Sequence, residues 1–213
     1  MFNELIKYCT DNGVSLVVVT KTRTEAAIMN YYNLGHRAFG ENRVQELTEK
    51  YVSLPQDIKW HMIGHLQSNK VKYIAPFVSM IHSGSNFSLL KEINKKAKSN
   101  DRIIDVLLQI KIGQEDTKSG WGKDELLALL AKDEIQSFEY IRFRGVMGMA
   151  TFTEDKNVIR SEFSELKSIY ELLRKDYFSE TSTFDIISMG MSGDYEIAIE
   201  EGSTMVRIGS LLF

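Results

Sequence analysis

The hydrophobic residues of this chain fall into short apolar runs that alternate with segments of helical spacing. The densest run, residues 15–20, is rich in β-branched residues and follows Gly13. Such a run is typical of a strand that is buried on both faces in a parallel sheet. After Lys21, Thr24 can cap a helix over residues 25–33. The beginning of the chain therefore predicts a strand followed by a helix.

The same unit of strand and helix recurs to the end of the chain. The strands are predicted over residues 15–20, 36–39, 59–63, 77–81, 102–110, 143–147, 184–187 and 205–208. The helical segments are predicted over residues 3–10, 25–33, 43–52, 70–74, 86–98, 124–132 and 156–176, with a last helix that stops at Gly202. Strands and helices in this alternation favour an α/β fold, a closed (β/α)8 TIM barrel, over an open sheet. We expect residues 1–213 to form a single domain.

The composition agrees with a barrel of this size. The chain has 213 residues, 43% of them hydrophobic, so it can bury a sizeable core. A net charge of -3 and a pI of about 5.9 give no general reason to bind nucleic acid or an acidic membrane. The lone Cys9 excludes an intramolecular disulfide, and no stretch approaches the length of a membrane span. We therefore expect a cytoplasmic protein with neither a nucleic-acid nor a membrane partner.

In a barrel of this kind the residues just after each strand share one rim, where the chemistry of the fold collects. That rim is predicted to hold Lys21, Glu41, Asn42, His65, Gln67, His82, Ser83, Lys111, Met149, Ser192, Gly193 and the segment 207–210. Taken alone, Lys21 has two interpretations. It is either the first solvated residue after a core strand or an amine presented at the barrel mouth.

The strongest chemical signal follows the last two strands. Gly190 and Gly193 allow backbone N–H groups to turn towards a ligand, and Ser192 lies at the predicted start of a helix, whose positive end favours an anion. Gly209 and Ser210 can add two more backbone donors. Plain turns, with Ser192 as an N-cap, are the alternative interpretation. Two such turns at neighbouring strand ends favour a phosphate site.

A phosphate site and a strand-end lysine on one rim suggest a ligand with a phosphate at one end and a carbonyl at the other. Schiff-base chemistry fits that pair of groups. A sugar-phosphate aldolase and a pyridoxal 5'-phosphate protein are both open at this point. The aldolase needs an acid/base pair beside Lys21, and the spacing assigns that role to neither Glu41 nor Asp116.

Five motifs carry a resemblance to a known family. They are VVTKT at 18–22, FGENRVQE at 39–46, WHMIGHLQSNK at 60–70, IHS at 81–83 and SMGMSGDYEIAIEEGSTMVRIG at 188–209. With them the chain resembles the pyridoxal phosphate homeostasis proteins from about residue 14 onwards. That family is similar to the barrel half of alanine racemase, the alanine-racemase N-terminal domain.

The resemblance implies pyridoxal 5'-phosphate (PLP) as the cofactor, with no catalytic residue and no metal. The cofactor-binding residues that it implies are Lys21, Asn42, His65, Ser192, Arg207, Gly209 and Ser210. Lys21 would hold PLP as a Schiff base, and Arg207 would face the pyridine nitrogen. Ser192, Gly209 and Ser210 would hold the phosphate. Asn42 and His65 lie in matching motifs at the rim.

Other positions leave questions open. His61, inside the third strand, is interpreted as a satisfied core histidine, or one that supports the site, rather than a catalyst. His82 is open between packing at the rim and contact with the cofactor. Lys111 stands where the family usually has asparagine, and the loop 113–122 is a candidate to close over the site.

The predicted function follows from the residue that would contact the pyridine nitrogen of the cofactor. Arginine stays protonated, so Arg207 would leave the pyridine nitrogen unprotonated and the ring a poor electron sink. We expect no second domain of the kind that supplies the opposing base in related racemases. The sequence therefore predicts a monomeric, non-enzymatic carrier that buffers PLP or delivers it to PLP-dependent apo-enzymes. An amino-acid racemase or another PLP enzyme of this fold is the alternative, and a Schiff-base aldolase is a third.

Overall fold

A computed structural model of the chain describes residues 1–113, 119–132, 134–135 and 137–213. Within those residues, parallel strands numbered β1 to β8 close into a barrel in chain order. The strands are Ser15–Val19 (β1), Ala38–Glu41 (β2), Lys59–Met62 (β3), Met80–Gly84 (β4), Ile104–Gln109 (β5), Ile141–Met147 (β6), Ile186–Ser188 (β7) and Met205–Ile208 (β8). This arrangement confirms the predicted TIM barrel.

The helices between the strands lie close to their predicted positions. They are Phe2–Asp11 (α1), Glu25–Asn33 (α2), Val44–Ser53 (α3), Val71–Ile74 (α4, preceded by a 3-10 turn Ser68–Lys70), Phe87–Ser99 (α5), Lys123–Leu130 (α6), Lys156–Asp176 (α7) and Tyr195–Glu200 (α8). Thr24 caps α2 as predicted, because its side chain accepts a hydrogen bond from the Ala27 amide at 3.3 Å. None of the helices in the described residues has the length and apolar character needed to cross a membrane.

Both faces of the strands are buried, which explains why their apolar runs are continuous rather than alternating. Residues such as Leu16 and Val18 face the large hydrophobic core between the strands and the helices. A smaller cluster fills the barrel interior and consists of Val17, Met80, Leu107, Met147, Ile186 and Met205. Polar side chains also lie in the interior, near the C-terminal ends of the strands, and the candidate site begins there.

Four strands begin two or three residues later than predicted, namely β2, β4, β5 and β7. At β4 the predicted run starts with Phe77 and Val78, whose amides instead donate to the Ile74 carbonyl and close a turn after α4. The apolar pattern misplaced this start because Val78 is fully buried although it is not in the strand. As a consequence, residues expected on the rim lie inside strands, and His82 and Glu41 are the important cases.

Candidate functional site

Lys21 lies where the sequence predicted it, in the turn directly after β1. The turn is closed by a hydrogen bond of 3.0 Å from the Arg23 amide to the Thr20 carbonyl. The Lys21 side chain is exposed, and within the described residues its amine makes no hydrogen bond or ion pair. An amine that is exposed and unpaired is accessible to a ligand.

The end of β8 lies beside the end of β1. Val17 of β1 pairs with Arg207 of β8, and the next pair is Val18 with Ile208. Gly209 then approaches β1 so closely that a Cβ atom there would lie 3.1 Å from the Cβ atom of Val19. The barrel therefore brings the segment after β8 against the strand end that carries Lys21.

Ser192 lies at the centre of the predicted phosphate corner. Its hydroxyl oxygen accepts hydrogen bonds from the amides of Gly209, at 3.2 Å, and of Leu211, at 3.3 Å. One oxygen atom thus receives two converging backbone N–H groups, an arrangement that also suits the oxygen of an anion. The second of these amides belongs to Leu211, which the sequence analysis did not include in the corner, and the predicted contact of Ser210 with a phosphate stays a prediction.

The helix behind this corner also differs from the prediction. Helix α8 begins at Tyr195, so Ser192 lies in the preceding turn and is not its N-cap. The N-cap position belongs to Asp194, whose carboxylate accepts a hydrogen bond of 2.6 Å from the Met191 amide. Burial raises the pKa of Asp194, whereas that amide and the charge of Arg207 lower it. The turn before α8 is therefore organised by an acidic side chain.

Arg207 is a buried cation inside the barrel. Its Nη1 donates to the Ser188 carbonyl at 2.8 Å and to the Ser188 hydroxyl at 2.6 Å, and its Nη2 donates to the Gly148 carbonyl at 3.2 Å. Burial lowers the pKa of Arg207 to about 10, with the Asp194 charge acting in the opposite direction. The guanidinium therefore stays charged at neutral pH and is held by β7 and by the segment after β6.

Two histidines extend this contact through the barrel interior. His61 Nδ1 lies 2.9 Å from His82 Nε2, and His82 Nδ1 lies 3.2 Å from the Ser188 hydroxyl. Burial lowers the pKa of both rings, that of His61 to about 4. The interpretation of His61 as a satisfied core histidine is confirmed. His82 is inside β4 and fully buried, so its expected place on the rim is wrong.

The remaining predicted rim residues form a second group. Asn42 and His65 line one cavity of about 620 Å³ together with Arg43, Lys70 and Tyr73 among others. A Cβ atom at Gly64 would lie 2.3 Å from the Asn42 carbonyl oxygen, so the two loops touch. The lining of this cavity does not include Lys21, Ser192 or Arg207.

The loop after β5 is described only at its ends. Residues 114–118, and with them Asp116, lie outside the described residues. At its far end the Ser119 hydroxyl lies 3.4 Å from His65 Nδ1. Lys111 is exposed, and its amide donates to the Trp121 carbonyl. Within the described residues, no three His, Cys, Asp or Glu side chains are grouped to hold a metal ion.

Glu41 belongs to neither group. It is the last residue of β2, is fully buried, and its carboxylate contacts Lys50 of α3 at 2.6 Å. Its expected place on the rim is therefore wrong, because the β2 register turns its side chain away from the barrel interior, as it does that of Phe39. The sequence analysis also missed Ser188, Gly148 and Leu211, which act partly or wholly through backbone groups that leave no sequence signal.

The fold and this set of residues define a class of protein. Residues 3–213 match the family model described as alanine racemase, N-terminal domain. The pyridoxal phosphate homeostasis protein of Aquifex aeolicus is 39% identical over 210 residues, which cover 95% of this chain and 87% of the relative. The chain belongs to the alanine racemase N-terminal domain family and, within it, to the pyridoxal phosphate homeostasis proteins, as its motifs predicted.

Solved structures agree with this assignment. PipY of Synechococcus elongatus PCC7942 without PLP has a TM-score of 0.90 at 30% identity, over 99% of this chain and 98% of that chain. PipY with PLP bound has a TM-score of 0.84 at 31% identity, over 94% and 92% of the two chains.

Proposed function

We propose that this protein binds PLP at the junction of β1 and β8 and acts in PLP homeostasis. The observation that carries the proposal is the junction itself. It brings an exposed amine (Lys21), a buried cation (Arg207) and two converging backbone amides beside Ser192 onto neighbouring strand ends. The names of the relatives and the PLP bound to PipY support the same cofactor.

The donors beside Ser192 fit the phosphate of this cofactor. We propose that the amides of Gly209 and Leu211, with the Ser192 hydroxyl and the exposed Ser210, hold the phosphate. Backbone N–H groups suit an anion because they bring partial positive charge without a mobile side chain. Asn42 and His65 would complete the rim from the side of their shared cavity.

Arg207 fits the pyridine nitrogen. Three of the five N–H groups of its guanidinium have acceptors among the described residues, which leaves donors for a further acceptor. A cation at this position donates a hydrogen bond but does not supply a proton to the ring nitrogen. The ring then withdraws electrons weakly.

This electronic environment favours a carrier over an enzyme. PLP supplies an aldehyde that condenses with amines and a ring that can stabilise negative charge. We propose that Lys21 provides the amine that holds PLP, and that Arg207 keeps the ring from being an effective electron sink. The protein would then buffer PLP, or deliver it to apo-enzymes in the cytoplasm, as a monomer of one domain.

Borohydride reduction tests the proposed site. The purified protein, loaded with PLP, should absorb in the visible range and should carry a reduced pyridoxyl group on the Lys21 peptide after borohydride treatment. Lys21→Ala should lose the label and keep the fold. Lys111→Ala is the matched control, because Lys111 is another exposed lysine at a strand end and its loss should leave the label in place. A label on Lys111 instead of Lys21 would contradict the proposal.

Incubation with single enantiomers separates the carrier from a racemase. The loaded protein should leave L-alanine and D-alanine unconverted over many equivalents, as followed by chiral chromatography. Sustained conversion would make the racemase the better assignment. Delivery is measured by adding the loaded protein to a PLP-dependent apo-enzyme and comparing its activation with that by the same concentration of free PLP.

A further inference from the structure

A buried ionic cluster lies outside the barrel between β1, β2 and α3. Lys50 is 6% exposed, and its amine donates to Glu41 Oε1 at 2.6 Å, to Glu46 Oε1 at 2.6 Å and to the Thr20 carbonyl at 2.7 Å. These three bonds use all the donors of an ammonium group. We call Glu41, Glu46 and Lys50 the ionic clamp.

The ionic clamp binds the chain on both sides of Lys21. On one side Lys50 binds the Thr20 carbonyl, and the Thr20 hydroxyl donates to Glu41 Oε1 at 2.5 Å. On the other side the Thr22 amide donates to Glu46 Oε1 at 2.6 Å. Lys21 is the one residue between these two attachments.

The turn that carries Lys21 needs such a restraint. Thr22 has a φ of 62°, in the left-handed region. That region is unfavourable for a β-branched residue, because its Cβ atom crowds the backbone. Without its bond to Glu46, Thr22 would return to negative φ. The direction in which Lys21 leaves the strand would then change. The bond from the Thr22 amide to Glu46 opposes that change.

The cluster is poorly suited to a role in stability alone. Burying the charges of Glu41 and Lys50, with Glu46 partly exposed beside them, has a large desolvation cost that their attraction only partly offsets. The second carboxylate oxygen of Glu41, Oε2, is buried and has no hydrogen-bond partner among the described residues. An arrangement with this cost is better explained by the conformation that it enforces.

We infer that the ionic clamp is a positioning device that holds the Lys21 turn in the conformation in which its amine meets PLP. The inference rests on the proposed function, in which Lys21 is the amine that holds the cofactor. Glu41, Glu46 and Lys50 do not touch the cofactor in this account. They act on it through the backbone of Thr20 and Thr22.

The test uses Glu46→Ala in the full chain. Glu46 is the most exposed member of the clamp, so its removal leaves the pair of Lys50 and Glu41 in place while it frees the Thr22 amide. Hydrogen exchange of the peptide that contains Lys21 should become faster in the protein without PLP. Borohydride labelling of Lys21 at limiting PLP should slow by about ten- to a hundredfold, because misplacing a reacting group by about 1 Å can cost up to about a hundredfold in rate.

Two further variants separate positioning from general damage. Asp105→Asn is the matched control, because Asp105 also binds two cations, Arg142 and Arg144, but at the opposite end of the barrel. It should label Lys21 at the wild-type rate. Thr22→Gly in the Glu46→Ala background should restore most of the labelling rate, since glycine adopts positive φ without strain.

The outcomes are distinct. Absence of a label on Lys21 in the wild-type protein contradicts the proposed function. If the wild-type protein is labelled on Lys21 and Glu46→Ala is labelled at the same rate, the inference is overturned. It is also overturned if labelling slows equally in Glu46→Ala and Asp105→Asn. If Glu46→Ala does not fold, Glu46→Met replaces it with the same expectations, because methionine keeps the length of the side chain and removes the carboxylate oxygen that accepts from the Thr22 amide.

Discussion

Arg207 shows how a single buried residue can set the chemistry of this site. Its guanidinium binds carbonyl oxygens of β7 and of the segment after β6, so it is fixed before any ligand arrives. A fixed cation presents its donors at a constant position. Under the proposed function, this residue would decide the electronic state of a bound pyridine ring.

Arg207→Gln should change both stability and the cofactor spectrum. The shorter, neutral side chain cannot donate hydrogen bonds to both Ser188 and Gly148. We therefore expect a loss of about 1–3 kcal/mol in the free energy of unfolding, measured with urea. The absorbance of bound PLP should shift, because the ring nitrogen loses a charged neighbour. Arg144→Gln is the control, since Arg144 binds the Thr183 carbonyl far from the site. An unshifted spectrum in Arg207→Gln would count against Arg207 as the partner of the ring.

Ser192→Ala should weaken the retention of PLP but not of pyridoxal, which lacks the phosphate. The loss of one hydroxyl contact predicts a weakening of about three- to tenfold for PLP. Equilibrium dialysis of both compounds measures this difference. Ser168→Ala is the control and should leave both affinities unchanged, because Ser168 is exposed on α7 and its hydroxyl donates to the Ser164 carbonyl. An equal effect on PLP and pyridoxal would place the phosphate elsewhere.

At the scale of elements, the connection between β7 and α8 builds the corner at which we propose that the phosphate binds. Gly190 has a φ of +95°, and its carbonyl accepts a hydrogen bond from the Arg207 amide at 3.0 Å. A Cβ atom there would lie 2.6 Å from the Cβ atom of Ala198 on α8. The corner therefore depends on a loop that packs directly against a short helix.

Gly190→Ala should destabilise this connection. Positive φ and the contact with Ala198 together predict a loss of about 2–4 kcal/mol in the free energy of unfolding. Gly193→Ala is the control in the same loop, because a Cβ atom at Gly193 meets nothing within 4 Å. It should change stability by less than about 0.5 kcal/mol. Urea denaturation of both variants measures the contrast, and equal losses would refute the packing argument.

At the scale of the whole molecule, the barrel buries polar groups along its axis. Arg207, Ser188, His82 and His61 form a continuous set of contacts from β8 to β3. The two neutral histidines make the stability of the barrel depend on pH.

Stability should fall as the pH decreases from about 6.5 towards 4. In the unfolded chain these histidines bind protons below about pH 6.5, whereas in the folded protein burial lowers the pKa of His61 to about 4 and that of His82 well below its usual value. The unfolded state then binds more protons, which lowers stability by up to about 1.4 kcal/mol per pH unit for each ring. His36, whose pKa burial also lowers, acts in the same direction.

Urea midpoints at pH 7.5, 6.5 and 5.5 measure this dependence. His61→Gln should reduce the change of stability with pH by the contribution of one histidine, although it also lowers stability at every pH. A flat profile between pH 7.5 and 5.5 would show that the buried rings are not the controlling groups.

The sequence predicted the elements better than their ends. Helices α2 and α7 have their predicted bounds, since a capping residue precedes each of them. Strand β2 was placed two residues early, because a run with one large apolar residue, Phe39, gives no register. That shift decided whether Glu41 belonged to the rim or to the contact with α3.

The sequence by itself determined the barrel, the family and the strand-end lysine, because apolar periodicity and long motifs are local properties of the chain. Only the tertiary structure decided that Leu211 and not Ser210 donates beside Ser192, that His82 is buried, and that the ionic clamp holds the Lys21 turn. These facts depend on strand register and on backbone groups. Register is fixed by the closure of the whole barrel, and backbone groups are the same in every residue. The local sequence pattern therefore predicts neither of them.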